Sequence, residues 1–209
     1  MPGLFITFEG GEGTGKSTQV RRLAEHFRAK GRAVVETREP GGTPAGEALR
    51  SLLVTGEVGR WSAEAEAMLN AAARSVHVRD VIAPALARGD VVISDRFIDS
   101  TRAYQGYAGG CSFDLIDSLE LSAIGECRPN LTLILDLDSA VGLARAKNRG
   151  EGMEDRYERK GLAFHERLRA GFLAIAKAEP QRCRVIDASQ NIEGVAIDIL
   201  RALKAFSHG

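Results

Sequence analysis

Residues 10–18 read GGEGTGKST and follow the apolar run LFITF at residues 4–8, with Glu9 between them. They fit the pattern G-x-x-x-x-G-K-[ST], in which glycine backbone N–H groups wrap a phosphate at the start of a helix. The pattern requires a strand before it and a helix after it, and the apolar run and the amphipathic segment 16–29 satisfy both requirements. In this pattern Lys16 reaches the outer phosphates of a nucleoside triphosphate, and Ser17 binds Mg²⁺ through its hydroxyl. The predicted triphosphate-binding residues are Gly10, Gly11, Glu12, Gly13, Thr14, Gly15, Lys16, Ser17 and Thr18.

Short β-branched runs alternate with helix-like segments along the rest of the chain. Unalternating apolar runs bounded by Gly, Pro or charge are typical of strands buried on both faces. The predicted strands are residues 4–8, 33–37, 91–94, 131–137 and 183–188, and the predicted helices lie near residues 16–29, 62–88, 113–126, 139–148, 158–179 and 192–206. This alternation predicts an α/β fold with a doubly wound, five-stranded parallel sheet flanked by helices. Ligands of such sheets bind beyond the carboxyl ends of the strands, so the functional motifs should directly follow strands.

Composition narrows the class of protein. The chain has 209 residues, which is the size of one domain, and 28 Lys plus Arg balance 28 Asp plus Glu. A chain with this balance has no net positive field to attract a nucleic-acid polymer. The three cysteines, Cys111, Cys127 and Cys183, are too few and too widely spaced for a disulfide framework or a zinc site. Without a signal peptide or a long apolar run, the sequence predicts a cytoplasmic protein that does not enter a membrane.

A second set of charged residues favours a kinase over a nucleotide switch. The N-K-x-D motif of guanine-binding switches is absent. Asp95 and Arg96 directly follow the strand VVIS, where the carboxylate could hold Mg²⁺ and the arginine could bind an acceptor phosphate, although a surface ion pair would give the same pattern. Arg145 and Arg149 lie four residues apart on one predicted helix, followed by a glycine-rich loop and Arg156. Arginines there could close over a phosphoryl group, and a solvated helix face is the equally weighted alternative.

Longer motifs make the chain resemble the bacterial thymidylate kinases, members of the P-loop nucleoside monophosphate kinases. They stand in the order and spacing of that family over nearly the whole sequence: TREPGGT at residues 37–43, DRF at 95–97, DSTRAYQG at 99–106 and PNLTLILD at 129–136. A lid at about residues 142–157 extends the match. The resemblance implies a single-domain P-loop kinase over residues 1–209 with a short helical lid.

That likeness also implies an activity and a set of site residues. The implied enzyme is a homodimer that transfers the γ-phosphate of ATP to dTMP with Mg²⁺, giving dTDP and ADP for dTTP synthesis. Arg74 would donate to a thymine carbonyl, and an amide oxygen of Gln105 would accept from N3–H, a pairing that fits thymine or uracil and not cytosine. The implied catalytic residues are Lys16, Glu12, Asp95, Arg96, Arg145 and Arg149, and the implied metal ligands are Ser17 and Asp95. The implied acceptor-binding residues are Arg38, Glu39, Pro40, Arg50, Asn70, Arg74, Arg96, Phe97, Ser100, Thr101, Tyr104 and Gln105.

Asn70 is the clearest departure from the family pattern. Relatives usually have a phenylalanine there, four residues before the arginine at 74, and its ring stacks on the thymine. Its replacement leaves open a kinase of dUMP or of a modified pyrimidine nucleotide. A slow ATPase that signals to a partner is the alternative from another class, although the arginines favour a second anionic ligand. The four histidines, His26, His77, His165 and His208, are expected to have surface or packing roles.

Overall fold

The structure is a computed structural model that describes residues 2–148 and 156–206. Within these residues one parallel sheet is formed by β1 (Leu4–Glu9), β2 (Val34–Arg38), β3 (Val91–Asp95), β4 (Leu131–Asp136) and β5 (Cys183–Asp187). The strand order is β2-β3-β1-β4-β5. The prediction of a five-stranded, doubly wound parallel sheet is therefore confirmed. All five predicted strands are present, with ends that differ by at most one residue.

Helices cover both faces of the sheet. The helices are α1 (Lys16–Ala29), α2 (Pro44–Val54), α3 (Ala63–His77), α4 (Ala83–Ala87), α5 (Ile98–Thr101), α6 (Phe113–Ile124), α7 (Ser139–Lys147), α8 (Leu162–Ala178) and α9 (Ile192–Phe206). Short 3₁₀ turns span Val58–Arg60 and Glu158–Lys160, and wider π turns span Val78–Ile82 and Arg102–Tyr107. In the part of the chain that the structure describes, no helix is long and apolar enough to cross a membrane.

The central strand β1 explains the two-sided core. Ile6 and Phe8 point to one face and pack with α1 and α9, whereas Phe5 points to the opposite face. All three are fully buried. A strand buried on both faces favours β-branched and aromatic residues without polar alternation, which is the pattern of LFITF. The arrangement places the carboxyl end of β1 in the middle of one edge of the sheet, where the phosphate-binding pattern begins.

Two helical segments were missed by the sequence patterns. The first is α2, although Thr43 caps it by accepting from the Gly46 N–H at 2.9 Å and Pro44 occupies its first turn, a common start signal. The second runs from Ile98 to Tyr107. The predicted helix at residues 62–88 is also interrupted by a π turn, because Pro84 has no N–H to continue the ladder.

Candidate active site

The phosphate-binding loop lies between β1 and α1, as its pattern requires. Gly10 and Gly13 both have positive φ, 127° and 67°. A Cβ atom on Gly13 would lie 2.1 Å from the carbonyl oxygen of Gly142 at the start of α7, and one on Gly10 would lie 2.3 Å from that of Leu135. Only glycine fits these two positions, because both the backbone angle and the close approach exclude a side chain. The loop is thus fixed against β4 and against α7.

Lys16 is folded over this loop at the start of α1. Its Nζ donates to the carbonyl of Gly11 at 2.7 Å and to that of Gly10 at 3.2 Å. Burial, together with the positive charge of Arg96, lowers the pKa of Lys16 to about 8. The ammonium group therefore lies in the concave side of the loop, and a triphosphate bound there would stabilise its charged form.

Ser17 and Asp95 provide a pair of oxygen ligands beside the loop. The Ser17 hydroxyl donates to Asp95 Oδ2 at 2.7 Å, where β3 ends and α1 begins. A hydroxyl and a carboxylate are the hard oxygen ligands that Mg²⁺ uses beside nucleotide phosphates. No group of three or more His, Cys, Asp or Glu that could hold a metal occurs among residues 2–148 and 156–206. The residues present therefore fit an Mg²⁺ ion that takes most of its ligands from phosphates and water.

Arg96 turns away from β3 in a left-handed conformation, with φ of 71°. A non-glycine residue rarely adopts this region, and its occurrence at a strand end points to a functional constraint. The turn directs the guanidinium to the Gly10 carbonyl at 2.9 Å, the Ser100 hydroxyl at 3.2 Å and Glu12 Oε1 at 3.0 Å. The same group lies 5.0 Å from the ring centre of Tyr104.

Glu12 is a charged carboxylate in this polar cluster. Burial disfavours its charge, but the opposing charges of Arg96 and Lys16, with a hydrogen bond from Tyr104, lower its pKa to about 2. The Tyr104 hydroxyl donates to Glu12 Oε1 at 2.5 Å. A permanent negative charge inside a phosphate-binding loop is suited to accept from a sugar hydroxyl.

One cavity adjoins the loop on the side of α2, α3 and α5. The empty space between its walls, including the open solvent at its mouth, is about 620 Å³. Its lining residues are Glu12, Glu39, Pro40, Arg50, Val54, Asn70, Arg96, Ser100, Thr101, Tyr104, Gln105, Tyr157 and Glu158. Ten of these are predicted site residues. We call this cavity the acceptor pocket.

The loop side has a cavity of its own, which we call the triphosphate pocket. It is lined by residues 12–18 together with Arg38, Glu39, Arg50, Asp95 and Arg96. Four residues line both pockets: Glu12, Glu39, Arg50 and Arg96. The two pockets therefore meet at two carboxylates and two guanidinium groups. An arrangement of this kind places two anionic ligands end to end, with arginines at the junction.

Two of the predicted acceptor-binding residues, Phe97 and Arg74, line neither of these pockets. Phe97 is fully buried and packs edge-on against Phe5, because the turn at Arg96 directs its side chain into the core. Arg74 is 3% exposed and lies behind the pocket wall, where it donates to Glu39 Oε2 at 2.7 Å. It also donates to the hydroxyl of Thr101 at 3.1 Å, so it positions two pocket residues.

The predicted lid arginines lie in different places. Arg145 donates to the carbonyl of Ala188, beyond β5, at 3.2 Å and lines neither pocket. Arg149 lies outside the described residues. Arg156 is fully buried; it donates to the Leu53 carbonyl at 2.8 Å and pairs with Glu66, so it anchors the end of the lid segment and cannot close over a phosphate.

Sequence reasoning missed a supporting layer of buried polar residues. His77, expected to have a surface or packing role, bridges Thr37 Oγ1 at 2.6 Å and Glu39 Oε1 at 2.9 Å. Glu9 accepts from the Phe97 N–H at 2.8 Å and so supports the turn at Arg96. Glu9 directly follows the predicted strand at residues 4–8, and His77 lies inside the predicted helix at residues 62–88, so neither position indicated these roles.

Comparison with known proteins identifies the family. The profile of the family described as Thymidylate kinase matches residues 8–199. The chain is 57% identical to the thymidylate kinase of Caulobacter vibrioides over 94% of both chains, and 51% identical to that of Rhodopseudomonas palustris strain TIE-1 over 98% of this chain and 90% of the relative. The crystal structure of the Ehrlichia chaffeensis thymidylate kinase superposes with a TM-score of 0.79 at 36% identity, over 98% of this chain and 99% of that one. The chain therefore belongs to the thymidylate kinase family, whose members phosphorylate dTMP to dTDP with ATP.

Proposed function

We propose that the chain performs its ATP-dependent phosphorylation of dTMP with ATP phosphates in the triphosphate pocket and dTMP in the acceptor pocket. The observation that carries this assignment is the junction of the pockets at Glu12, Glu39, Arg50 and Arg96. A phosphoryl group that moves between the pockets passes the two guanidinium groups. Positioning and charge stabilisation of this kind supply most of the catalysis in phosphoryl transfer.

On the donor side, the loop N–H groups and Lys16 bind the triphosphate. Ser17 and Asp95 would hold Mg²⁺, which neutralises phosphate charge when it is bound. Arg96, fixed by Gly10 and Glu12, faces the junction with its charge secured, because the neighbouring carboxylates and Tyr104 raise its pKa against the effect of burial. Arg149 is proposed to supply further positive charge from the lid.

On the acceptor side, Arg50 provides positive charge for the monophosphate, and Arg38, which lines the triphosphate pocket, adds charge from the other side of the junction. Arg50 donates to the Pro40 carbonyl at 3.1 Å, and the peptide bond between Glu39 and Pro40 is cis. Glu12 is placed to accept from the sugar hydroxyl. Thr101 and Gln105 also line the pocket and are proposed to contact the base.

We also propose a cytoplasmic homodimer. Met68 of α3 and Leu121 of α6 are 50% and 67% exposed on neighbouring helices, and Leu52 of α2 adds further exposed apolar surface. Exposed apolar residues on adjacent helices are typical of a surface that associates with a second copy. Sedimentation at micromolar concentration tests this: a monomer would contradict it.

Acceptor-dependent ADP release tests the proposed function. The rate is measured from Mg·ATP with dTMP, dUMP, dCMP, dGMP or no acceptor, each over a range of concentrations. Strong stimulation by dTMP supports the assignment. Preference for dUMP would move the acceptor to an unmethylated pyrimidine, which Asn70 leaves open, and ATP hydrolysis indifferent to every monophosphate would favour the nucleotide switch.

A further inference from the structure

A buried carboxylate stands directly behind the base-reading end of the acceptor pocket. Glu66 on α3 is 1% exposed, and its Oε2 accepts from the Gln105 side-chain nitrogen at 2.8 Å. Gln105 lines the pocket, whereas Glu66 does not. The resemblance that names Gln105 as a pocket residue gives no role to Glu66. Their contact joins residues 39 positions apart, so no local motif contains it.

Glu66 forms ion pairs with two cations. Its Oε1 pairs with the fully buried Arg156 and, at 2.9 Å, with Lys160 Nζ. A charged carboxylate has no proton to donate and can only accept hydrogen bonds. Since burial of a charge requires such partners, this ion cluster fixes the chemical character of the atom that faces Gln105.

Because the Glu66 carboxylate can only accept hydrogen bonds, it sets the orientation of the Gln105 amide. An amide has a donor end and an acceptor end that differ little in shape, so its orientation is set by its hydrogen-bond partners. Only the nitrogen can face Glu66, and the hydroxyl of Tyr157, 3.4 Å from the same nitrogen, is compatible with that orientation. The amide oxygen is left for the acceptor pocket.

We propose that Glu66 is a specificity-determining positioning residue, whose carboxylate turns the Gln105 oxygen toward the base and thereby selects pyrimidines with an N3–H over cytosine. The proposal rests on the proposed function of the acceptor pocket. Thymine and uracil donate from N3, whereas cytosine has only an acceptor there. With the amide held in one orientation, dCMP brings two acceptors together and leaves a buried oxygen unpaired.

Glu66→Gln is the direct test, because the new amide can donate as well as accept and no longer fixes Gln105. We compare kcat/KM for dTMP, dUMP and dCMP, with dissociation constants where turnover is too slow. The expected result is a fall of at least about 10-fold in the ratio of dTMP to dCMP, with dTMP and dUMP changing in parallel. Equal changes for dTMP and dCMP would overturn the proposal, because a merely structural role lowers both alike.

Three further variants separate positioning from stability. Glu66→Asp keeps an acceptor-only group and should retain the ratio. Lys160→Met removes a partner of Glu66 but leaves its carboxylate, and should also retain the ratio. In a Gln105→Met background, Glu66→Gln should change the ratio no further, since the amide through which it acts is gone; an additional change there would overturn the proposal.

A measurement on the unsubstituted chain covers the case in which Glu66→Gln fails to fold. In ¹⁵N-labelled protein, the Gln105 side-chain NH₂ resonances, identified by their loss in Gln105→Met, should be protected from solvent exchange with and without dTMP. Loss of this protection on dTMP binding would overturn the proposal. Inactivity of the unsubstituted chain with every monophosphate would instead overturn the proposed function and this inference with it.

Discussion

The Ser17 hydroxyl donates to Asp95 Oδ2 at 2.7 Å, across 78 residues of sequence. Parallel pairing of β1 with β3 brings the two together, because the phosphate-binding loop follows β1 and Asp95 ends β3. Their separation is that of two ligands able to share one small cation. The pair connects the sheet topology directly to the proposed Mg²⁺ site.

Asp95→Asn should weaken the metal site without unfolding the protein. The amide keeps the shape and a neutral oxygen but loses the charge that attracts Mg²⁺. We expect the Mg²⁺ concentration for half-maximal activity to rise about 10-fold or more. The measurement is dTMP-dependent ADP release against free Mg²⁺, with Ser17→Ala as a matched loss of the other ligand. An unchanged Mg²⁺ dependence in both variants would contradict the assignment.

The lowered pKa of Lys16 should appear in the pH dependence of ATP capture. Because the free enzyme loses the lysine charge as the pH rises through about 8, kcat/KM for ATP should fall above that pH. Lys16→Arg keeps its charge throughout, so its lower activity should lack this fall. Lys16→Met should lose nearly all turnover while its circular dichroism is unchanged. A flat profile for the unsubstituted chain would show that the charge of Lys16 is not needed.

The two arginines near the lid should behave differently. Arg149→Ala should lower kcat by about 100-fold or more and change KM less, because its contact is expected mainly in the transition state. Arg145 is tied to the Ala188 carbonyl, so Arg145→Ala should change kcat by less than about 3-fold. Steady-state kinetics with both substrates varied distinguishes them. Equal losses of kcat would restore Arg145 as a catalytic residue.

Asn70→Phe should strengthen acceptor binding. Asn70 lines the acceptor pocket and its side-chain nitrogen donates to the Glu66 backbone carbonyl at 2.8 Å, a contact of the same helix that a ring could replace. Stacking is worth about 0.5–1.5 kcal/mol, which predicts a KM for dTMP that is lower by roughly 2- to 12-fold. Asn70→Leu adds apolar area without a flat ring and serves as the control. Equal effects of Phe and Leu would exclude stacking.

Glu9 should make stability fall as the pH rises. Burial, with repulsion from Asp99, raises its pKa from 4.5 to about 8. Between these values the folded state holds a proton that the unfolded state releases, so the free energy of unfolding should decrease toward pH 8. Glu9→Gln removes this titration while its amide oxygen still accepts from Phe97, and should flatten the slope. Urea unfolding at several pH values within that window measures it; an unchanged slope would contradict the assignment.

The sequence predicted the parts of the site that are contiguous. Lys16 and Ser17 follow from a pattern whose chemistry needs adjacent residues, and the strands follow from unbroken β-branched runs. Phe97 lines neither pocket, because the left-handed turn at Arg96 directs its side chain into the core, and the sequence around Arg96 does not indicate that turn. His77 contacts Glu39, 38 positions away, and Glu66 contacts Gln105, 39 positions away. Only folding of the chain brings such distant residues together.

Arg96 also limits the stability that this chain can reach. Its left-handed backbone costs a residue with a side chain roughly 1–2 kcal/mol, whereas glycine would adopt it without strain. Glycine would lose the guanidinium at the junction of the pockets, so the lower-strain chain is the less active one. Heat-stable variants of this protein should therefore be sought at positions remote from Arg96, because selection for thermal stability alone opposes catalysis at this residue.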